Sequence, residues 1–257
     1  MELLAALLLM SAIMTGAWAV RLRTGQSGWI DACWSGGSGL AALLLALAPL
    51  HDVTPRQWLC AVLAGAWSFR LAGHIAARTA KATRDDPRYA ALVEQWGANW
   101  KGRLLLFLQV QAVCGFGLAI SVWAAAHAPR GSLGWQDWLG VAILGLAVAG
   151  EAVADAQLRG HARKHRGGIA DTGLWAWSRH PNYFFEWLGW WAYVAIAIAP
   201  GYWQGWLALI GPAMMYWLLV HASGIPPLEA HMEKSRGEKW RAYKAKTSAF
   251  FPLPPRT

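Results

Sequence analysis

Apolar runs close to bilayer-spanning length recur along this chain, and they constrain its fold more than any other feature. A helix needs roughly 20 predominantly apolar residues to cross a hydrocarbon core about 30 Å thick. Within that core every backbone N–H and C=O must be satisfied internally, which leaves the helix as the spanning element for runs of this length. Seven runs are legible, at 2–20, 29–49, 56–77, 104–127, 135–158, 182–199 and 203–222. The composition agrees, with 56% hydrophobic and only 14% charged residues. The pattern predicts an all-α polytopic membrane protein with seven transmembrane helices, forming one integral-membrane domain over 1–257. Residues 2–20 carry Glu2 ahead of them and Arg21 and Arg23 behind, the reverse of a cleaved signal peptide, so this run reads as a retained helix.

The cations set an expected orientation. A formal charge of +9 would by itself suit nucleic acid, but its distribution points elsewhere. With the N-terminus outside, segments 21–28, 78–103, 159–181 and the tail from 224 face the cytosol. Those segments hold all of the 23 Lys and Arg except Arg56, Arg70 and Arg130. Loops rich in Lys and Arg stay inside, so the N-terminus is expected outside and the C-terminus in the cytosol. The charge then serves topology, anionic lipid and ligand phosphates, with no nucleic-acid partner. Nineteen tryptophans suit membrane interfaces and apolar pocket walls. Cys33, Cys60 and Cys114 lie in apolar runs with no Cys-x-x-Cys spacing, which predicts neither a disulfide framework nor a metal site.

Polar chemistry concentrates between two apolar runs, over Gly173–Glu186. Pro181 suits the first turn of a helix, where its missing N–H costs nothing. A helix starting near Asn182 would carry Asn182 and Glu186 on one face, with Trp190 one turn on. Arg179 and His180 would precede it, at the end where anions are favoured. A carboxylate such as Glu186 in an apolar segment is expensive unless paired or used. In the third run Arg70, His74 and Arg78 recur at intervals of four, followed by Arg84-Asp85-Asp86-Pro87-Arg88-Tyr89. That cationic stripe suits a ligand with several phosphates, or Arg70 is a structural partner for an acid. Glu151, Asp155 and Arg159 share a face of the fifth run, and an intrahelical Asp155–Arg159 pair is the plainer alternative. The basic, amphipathic tail suits a surface helix in the headgroup region.

Ser178-Arg179-His180-Pro181-Asn182-Tyr183-Phe184-x-Glu186 resembles the signature of membrane reductases related to the steroid 5-alpha-reductases. Its core, Arg-His-Pro-x-Tyr, also resembles a motif of the isoprenylcysteine carboxyl methyltransferases. Trp67-Ser68-Phe69-Arg70-Leu71, Asp86-Pro87-Arg88-Tyr89 and the ending Thr247-Ser248-Ala249-Phe250-Phe251-Pro252 look like the bacterial branch of the reductases. The likeness covers roughly residues 60–257, with a cofactor-binding half at about 67–257. It implies NADPH-dependent reduction of the Δ4 double bond of a 3-oxo-steroid or related lipophilic enone, with hydride to the β-carbon and a proton to the α-carbon. It further implies a substrate entering a monomer from the bilayer, in a bacterial inner membrane or, in a eukaryote, the endoplasmic reticulum. The alternative is an S-adenosylmethionine-dependent methyltransferase of the isoprenylcysteine type; a lipid-binding or transport protein is a third reading.

By the same resemblance Asp155 faces adenine or ribose, and Arg159, Arg163 and Arg166 are candidates for phosphates. Asn182 and Glu186 hold the nicotinamide end, and Glu229 matches an acidic position that contacts cofactor in relatives. Arg70, His74, Arg78, Arg179 and His180 complete the cofactor candidates. No Gly-x-Gly-x-x-Gly follows a strand, so the site is not of the Rossmann kind. Tyr183 would donate a hydrogen bond to the nicotinamide amide or the substrate, and Trp34 and Trp67 would be pocket walls. Asp31 roughly matches an acidic position in the second span of animal steroid reductases. A carboxyl kept protonated by burial would donate to the enolate oxygen there. Otherwise Asp31 is structural, paired with Arg70 or capping a helix.

Overall fold

The computed structural model describes residues 1–165 and 167–256. The helices are α1 (Glu2–Thr24), α2 (Gly28–Leu47), α3 (Pro55–Ala80), α4 (Pro87–Trp96), α5 (Trp100–Ala126) and α6 (Trp135–Lys164), then α7 (Leu174–Trp177), α8 (Pro181–Ala197), α9 (Ile210–Trp217), α10 (Ile225–Arg236) and α11 (Glu238–Lys246). A 3₁₀ stretch, Trp203–Leu209, leads into α9, and a π-helical turn, Leu218–Ala222, follows it. Among the described residues there is no strand, only an isolated parallel bridge between Ser178 and Ser248.

Six helical runs among the described residues are long and apolar enough to cross a membrane: Glu2–Thr24, Gly28–Leu47, Pro55–Ala80, Pro87–Ala126, Trp135–Lys164 and Trp203–Arg236. The expected seventh crossing falls on α8, which has 17 residues. Large apolar side chains such as Leu4, Leu8, Phe69, Leu106 and Trp206 point outward and are exposed. So much exposed apolar surface would be a liability in water and fits contact with lipid.

The sequence signals for helix starts hold where caps are explicit. Thr54 caps α3 with a full capping box: its hydroxyl accepts from the Gln57 backbone N–H at 3.3 Å, and Gln57 Oε1 accepts from the Thr54 N–H at 2.9 Å. Pro55 then occupies the first turn. The stretch 78–103, expected as a polar loop, instead contains α4. Asp86 caps that helix by accepting the Arg88 N–H at 2.9 Å, with Pro87 next. The segment 159–181, expected outside the helical runs, is helical as far as Lys164, which keeps Arg159 and Arg163 on α6. The run 203–222 is not one regular helix but a 3₁₀–α–π succession.

The chain packs as two compact units. The first comprises Met1–Asp137 and Tyr193–Gly211, and the second Trp138–Ala192 and Pro212–Thr257. In the first, α2 is central and packs against α1, α3 and α5. Its small residues permit this: a Cβ on Gly39 would overlap Ser68 of α3, and one on Gly28 would overlap Thr79. Close backbone approach through small residues is the usual basis of helix packing in lipid. One end of this unit is held by buried Arg56, whose Nε donates to Asp137 Oδ1 at 2.8 Å. Its Nη1 donates to the Ala128 and Arg130 carbonyls. Arg130 in turn donates to Asp137 Oδ1 at 3.1 Å and to the Ile196 and Ile198 carbonyls.

In the second unit α6 and α8 pack closely, with Gly150 against Phe185 and Gly189 against Leu144 and Ala147. Phe184, Trp187, Tyr216, Phe250 and Phe251 form a ring cluster with mostly edge-on contacts, such as Trp187–Phe250 at 5.7 Å. The C-terminal segment folds back onto the motif: the Leu253 N–H donates to Trp177 O at 3.0 Å.

Candidate functional site

Two polar clusters, one in each unit, hold most of the candidates. In the second unit the motif begins with Gly173, at φ 61°, a backbone conformation that favours glycine. A Cβ there would also run into Gln157. Gln157 Oε1 accepts the Leu174 N–H at 3.0 Å, and the Trp175 indole donates to Ala154 O at 2.9 Å. These bonds seat α7 on α6. Pro181 then starts α8, as its position in the sequence predicts.

The outcome is that Asn182 Nδ2 donates to Asp155 Oδ1 at 3.3 Å, across 27 residues of sequence. Both are half-buried. Arg159 lies one turn along α6 with its Nη1 3.9 Å from Asp155 Oδ2, a loose ion pair, and Arg163 is exposed a further turn on. Glu151 and Glu186 are half-buried one turn away from Asp155 and Asn182, and Trp190 is buried on α8. Arg166 lies outside the described residues.

Arg179, His180 and Glu229 meet in a different way. Arg179 Nε donates to Glu229 Oε1 at 2.8 Å, and its Nη1 donates to the Thr247 and Lys244 carbonyls. Its guanidinium also lies over the Trp240 ring, 5.9 Å from the centroid. His180 Nε2 is 3.1 Å from the same Glu229 oxygen, and Lys244 Nζ is 3.5 Å from the other. Arg179, His180 and Glu229 are all buried. Burial pushes the His180 imidazole below its ordinary range, with Glu229 pulling upward and Arg179 downward. A neutral imidazole then donates from Nε2 to the carboxylate. Tyr183 stacks on His180, with ring centroids 5.5 Å apart and planes 13° apart. Tyr243 donates to Trp175 O, and burial holds its hydroxyl well above the usual phenol range, so it remains a donor. This cluster ties the motif to α10 and α11.

In the first unit Asp31 is bound by residues that sequence reasoning did not pair with it. Arg88 Nη2 donates to Asp31 Oδ2, and the Tyr89 hydroxyl donates to Oδ1 at 2.9 Å. Gln111 Nε2 donates to the Tyr89 oxygen at 3.3 Å. Arg88 also grips Asp86. Burial alone would raise the Asp86 carboxyl, but hydrogen bonds and charge from Arg88, aided by Arg78, hold it below the ordinary range. Within the Arg84–Tyr89 segment Arg88 is therefore engaged by Asp31 and Asp86, while Arg84 is exposed. Asp85 likewise pairs with Arg21 at 2.9 Å and accepts the Ser27 N–H. Both carboxyl oxygens of Asp31 thus accept hydrogen bonds from α4. The signal that was available is the Asp86-Pro87 start of α4, which turns Arg88 and Tyr89 into helical neighbours of fixed direction.

The remaining candidates lie on α2 and α3. Arg70 is half-buried and His74 and Arg78 are exposed toward the end of α3, so the stripe emerges from the packed part of the helix. Trp67 is buried, and the Trp34 indole donates to Gln111 O at 2.9 Å. Among the described residues no group of three His, Cys, Asp or Glu side chains is arranged to hold a metal.

The described residues define an all-helical fold with six helical runs suited to a membrane and with polar groups gathered near helix ends. This chain belongs to the DUF1295 family, described as a protein of unknown function, whose model matches residues 17–247. No curated protein and no solved structure matches it.

Proposed function

We propose that this protein is an NADPH-dependent membrane reductase of the steroid 5-alpha-reductase type, acting on the Δ4 double bond of a 3-oxo-steroid or a related lipophilic enone. The observation that carries the reading is the meeting of Asp155 with Asn182 beside Arg159 and Arg163. The DUF1295 family match supports it, since that family is associated with steroid 5-alpha-reductase-like proteins. A carboxylate, an amide and two guanidinium groups within three helical turns suit the hydroxyls, amide and phosphates of a phosphorylated dinucleotide. The loose 3.9 Å contact leaves Arg159 able to turn to a phosphate. The bound cofactor would supply hydride to the β-carbon of the enone.

The chain's own residues do the rest. Asp155 accepts from ribose or adenine donors, and Asn182 and Glu186 orient the amide end. Arg179, His180 and Glu229 act through position, holding the start of α8 so that Asn182 keeps its direction. Tyr183, stacked on His180 in the same unit, would donate a hydrogen bond to the nicotinamide amide or the substrate. Trp34 and Trp67 provide apolar and indole surface for a flat substrate.

The proposed topology has seven crossings with the N-terminus outside. At a rise of about 1.5 Å per residue α8 reaches roughly 25 Å, the short end of the spanning range. Segregation of the cations supports the orientation. Single cysteines placed at residues 130 and 234 test it: labelling of intact cells at 130 alone supports the model, and labelling at 234 overturns it.

Thermal stabilisation of the detergent-purified chain by NADPH, NADH and S-adenosylmethionine tests the activity class, because ligand binding to the native state raises its stability. A shift with NADPH, followed by turnover of a 3-oxo-Δ4-steroid, is expected. A shift with S-adenosylmethionine alone would transfer the chain to the methyltransferase reading.

A further inference from the structure

The second unit contains a cleft of about 750 Å³ between the segment after α6 and helix α11. Among the described residues it is lined by His161, His165, Lys239 and Lys246, with Asp171 the one acid. Its walls include Ile169, Ala176 and Ala242. None of the proposed cofactor residues Asp155, Asn182, Arg159 or Glu186 lines it.

The cations of α11 divide in a way that singles the cleft out. Lys244 pairs with Glu229 at 3.5 Å and Arg241 with Glu233 at 3.4 Å. Lys239 and Lys246, the two that line the cleft, are exposed and make no ion pair among the described residues. The His161 and His165 rings lie 4.9 Å apart, and both residues line the cleft. His161 Nε2 is inaccessible and has no hydrogen-bond partner among the described residues. Two histidines without a third ligand do not make a metal site, and two free ammonium groups beside them favour an anion.

We propose that this cleft binds a phosphate ester, carried by an anionic phospholipid of the surrounding membrane. The phosphate sits among Lys239, Lys246 and the exposed His165, and Ile169 and Ala176 take the glyceride stem. Cationic side chains and apolar ones such as Ile169 and Ala176 on one lining fit an amphiphile better than a free anion, and lipid is the amphiphile that a membrane-embedded chain meets at high local concentration. The inference stands independently of the reductase reading.

The test uses the full chain in detergent, titrated with phosphatidylglycerol, phosphatidylcholine, glycerol 3-phosphate and inorganic phosphate, with adducts read by native mass spectrometry and thermal shift. Phosphatidylglycerol is expected to bind and phosphatidylcholine to bind far less. Lys239→Ala with Lys246→Ala is expected to weaken phosphatidylglycerol binding about thirtyfold, a factor of roughly five for each interfacial lysine. Lys234→Ala, an exposed cation outside the cleft, is expected to leave it unchanged. Ala242→Trp keeps every charge and fills the space, so it should abolish binding while the protein stays folded. Equal phosphatidylglycerol binding by wild type and both cleft variants would overturn the proposal, as would an equal loss in Lys234→Ala. Glycerol 3-phosphate binding as tightly as the lipid would overturn the lipid as source. NADPH stabilisation is expected to persist in both cleft variants, and its selective loss there with lipid binding intact would assign the cleft to the cofactor instead. Failure of NADPH to bind any variant would sink the reductase reading and leave the lipid result standing.

Discussion

The motif Ser178–Glu186 is divided between two environments, and the contrast separates what holds the fold from what is available to a ligand. At its start Arg179 and His180 are buried against Glu229, at 2.8 and 3.1 Å, with Lys244 closing the far oxygen. Three residues on, Asn182 meets Asp155 at 3.3 Å in a half-buried setting, and Arg159 approaches to only 3.9 Å. A buried charge left without its partner is heavily penalised, whereas an exposed pair contributes little. The first cluster therefore governs stability. The second has donors and acceptors that can exchange one another for a ligand at small cost.

The contrast can be broken or sharpened by substitution, beginning with the largest effect. Glu229→Ala strands Arg179 and His180 and should cost about 3–5 kcal/mol. Thermal unfolding in detergent checks this, and a native-like midpoint would show that the cluster is not a clamp. Tyr243→Phe removes one buried donor to Trp175 O and should cost about 1–2 kcal/mol by the same measurement. Acidification should act more weakly and with a definite sign. His180 has a folded-state affinity for protons below the ordinary one, so the unfolded chain protonates first as pH falls through about 6.5. Stability should decline below that pH, and His180→Gln should flatten the decline. Smallest in stability are Asn182→Ala and Asp155→Ala, each expected within about 0.5 kcal/mol of wild type. Those two should nevertheless lose the NADPH-induced shift, worth about 2.7 kcal/mol at a hundredfold excess over Kd. Retention of that shift in both would remove the half-buried edge as the cofactor site.

Much of the helical framework was legible because hydrocarbon imposes a length and a composition on anything that crosses it. The runs at 2–20, 29–49, 56–77 and 104–127 each contain the greater part of an observed helix, and Pro181 starts α8 where its chemistry suggests. The short helix α4 was hidden because a stretch of mixed charges reads as a solvated loop unless the Asp86-Pro87 cap is weighed. The break in the run 203–222 was hidden because 3₁₀, α and π segments share the same apolar composition.

The site was legible by residue type and much less by partnership. Intervals of four along one helix were readable, so the Asp155–Arg159 neighbourhood followed from sequence alone, since a helix converts sequence spacing directly into a shared face. Pairings between helices were not, because nothing local encodes which side chains of two distant segments meet. Asp31 with Arg88 and Tyr89, Arg56 with Asp137, and Glu229 with Arg179 and His180 all depend on how the helices pack. Sequence by itself determined that this is a chain of apolar helices with its cations gathered in a few segments. Only the tertiary structure decided which of those charges are neutralised inside the protein and which, like Lys239 and Lys246, stay open to a ligand, because burial and partner distance are properties of packing.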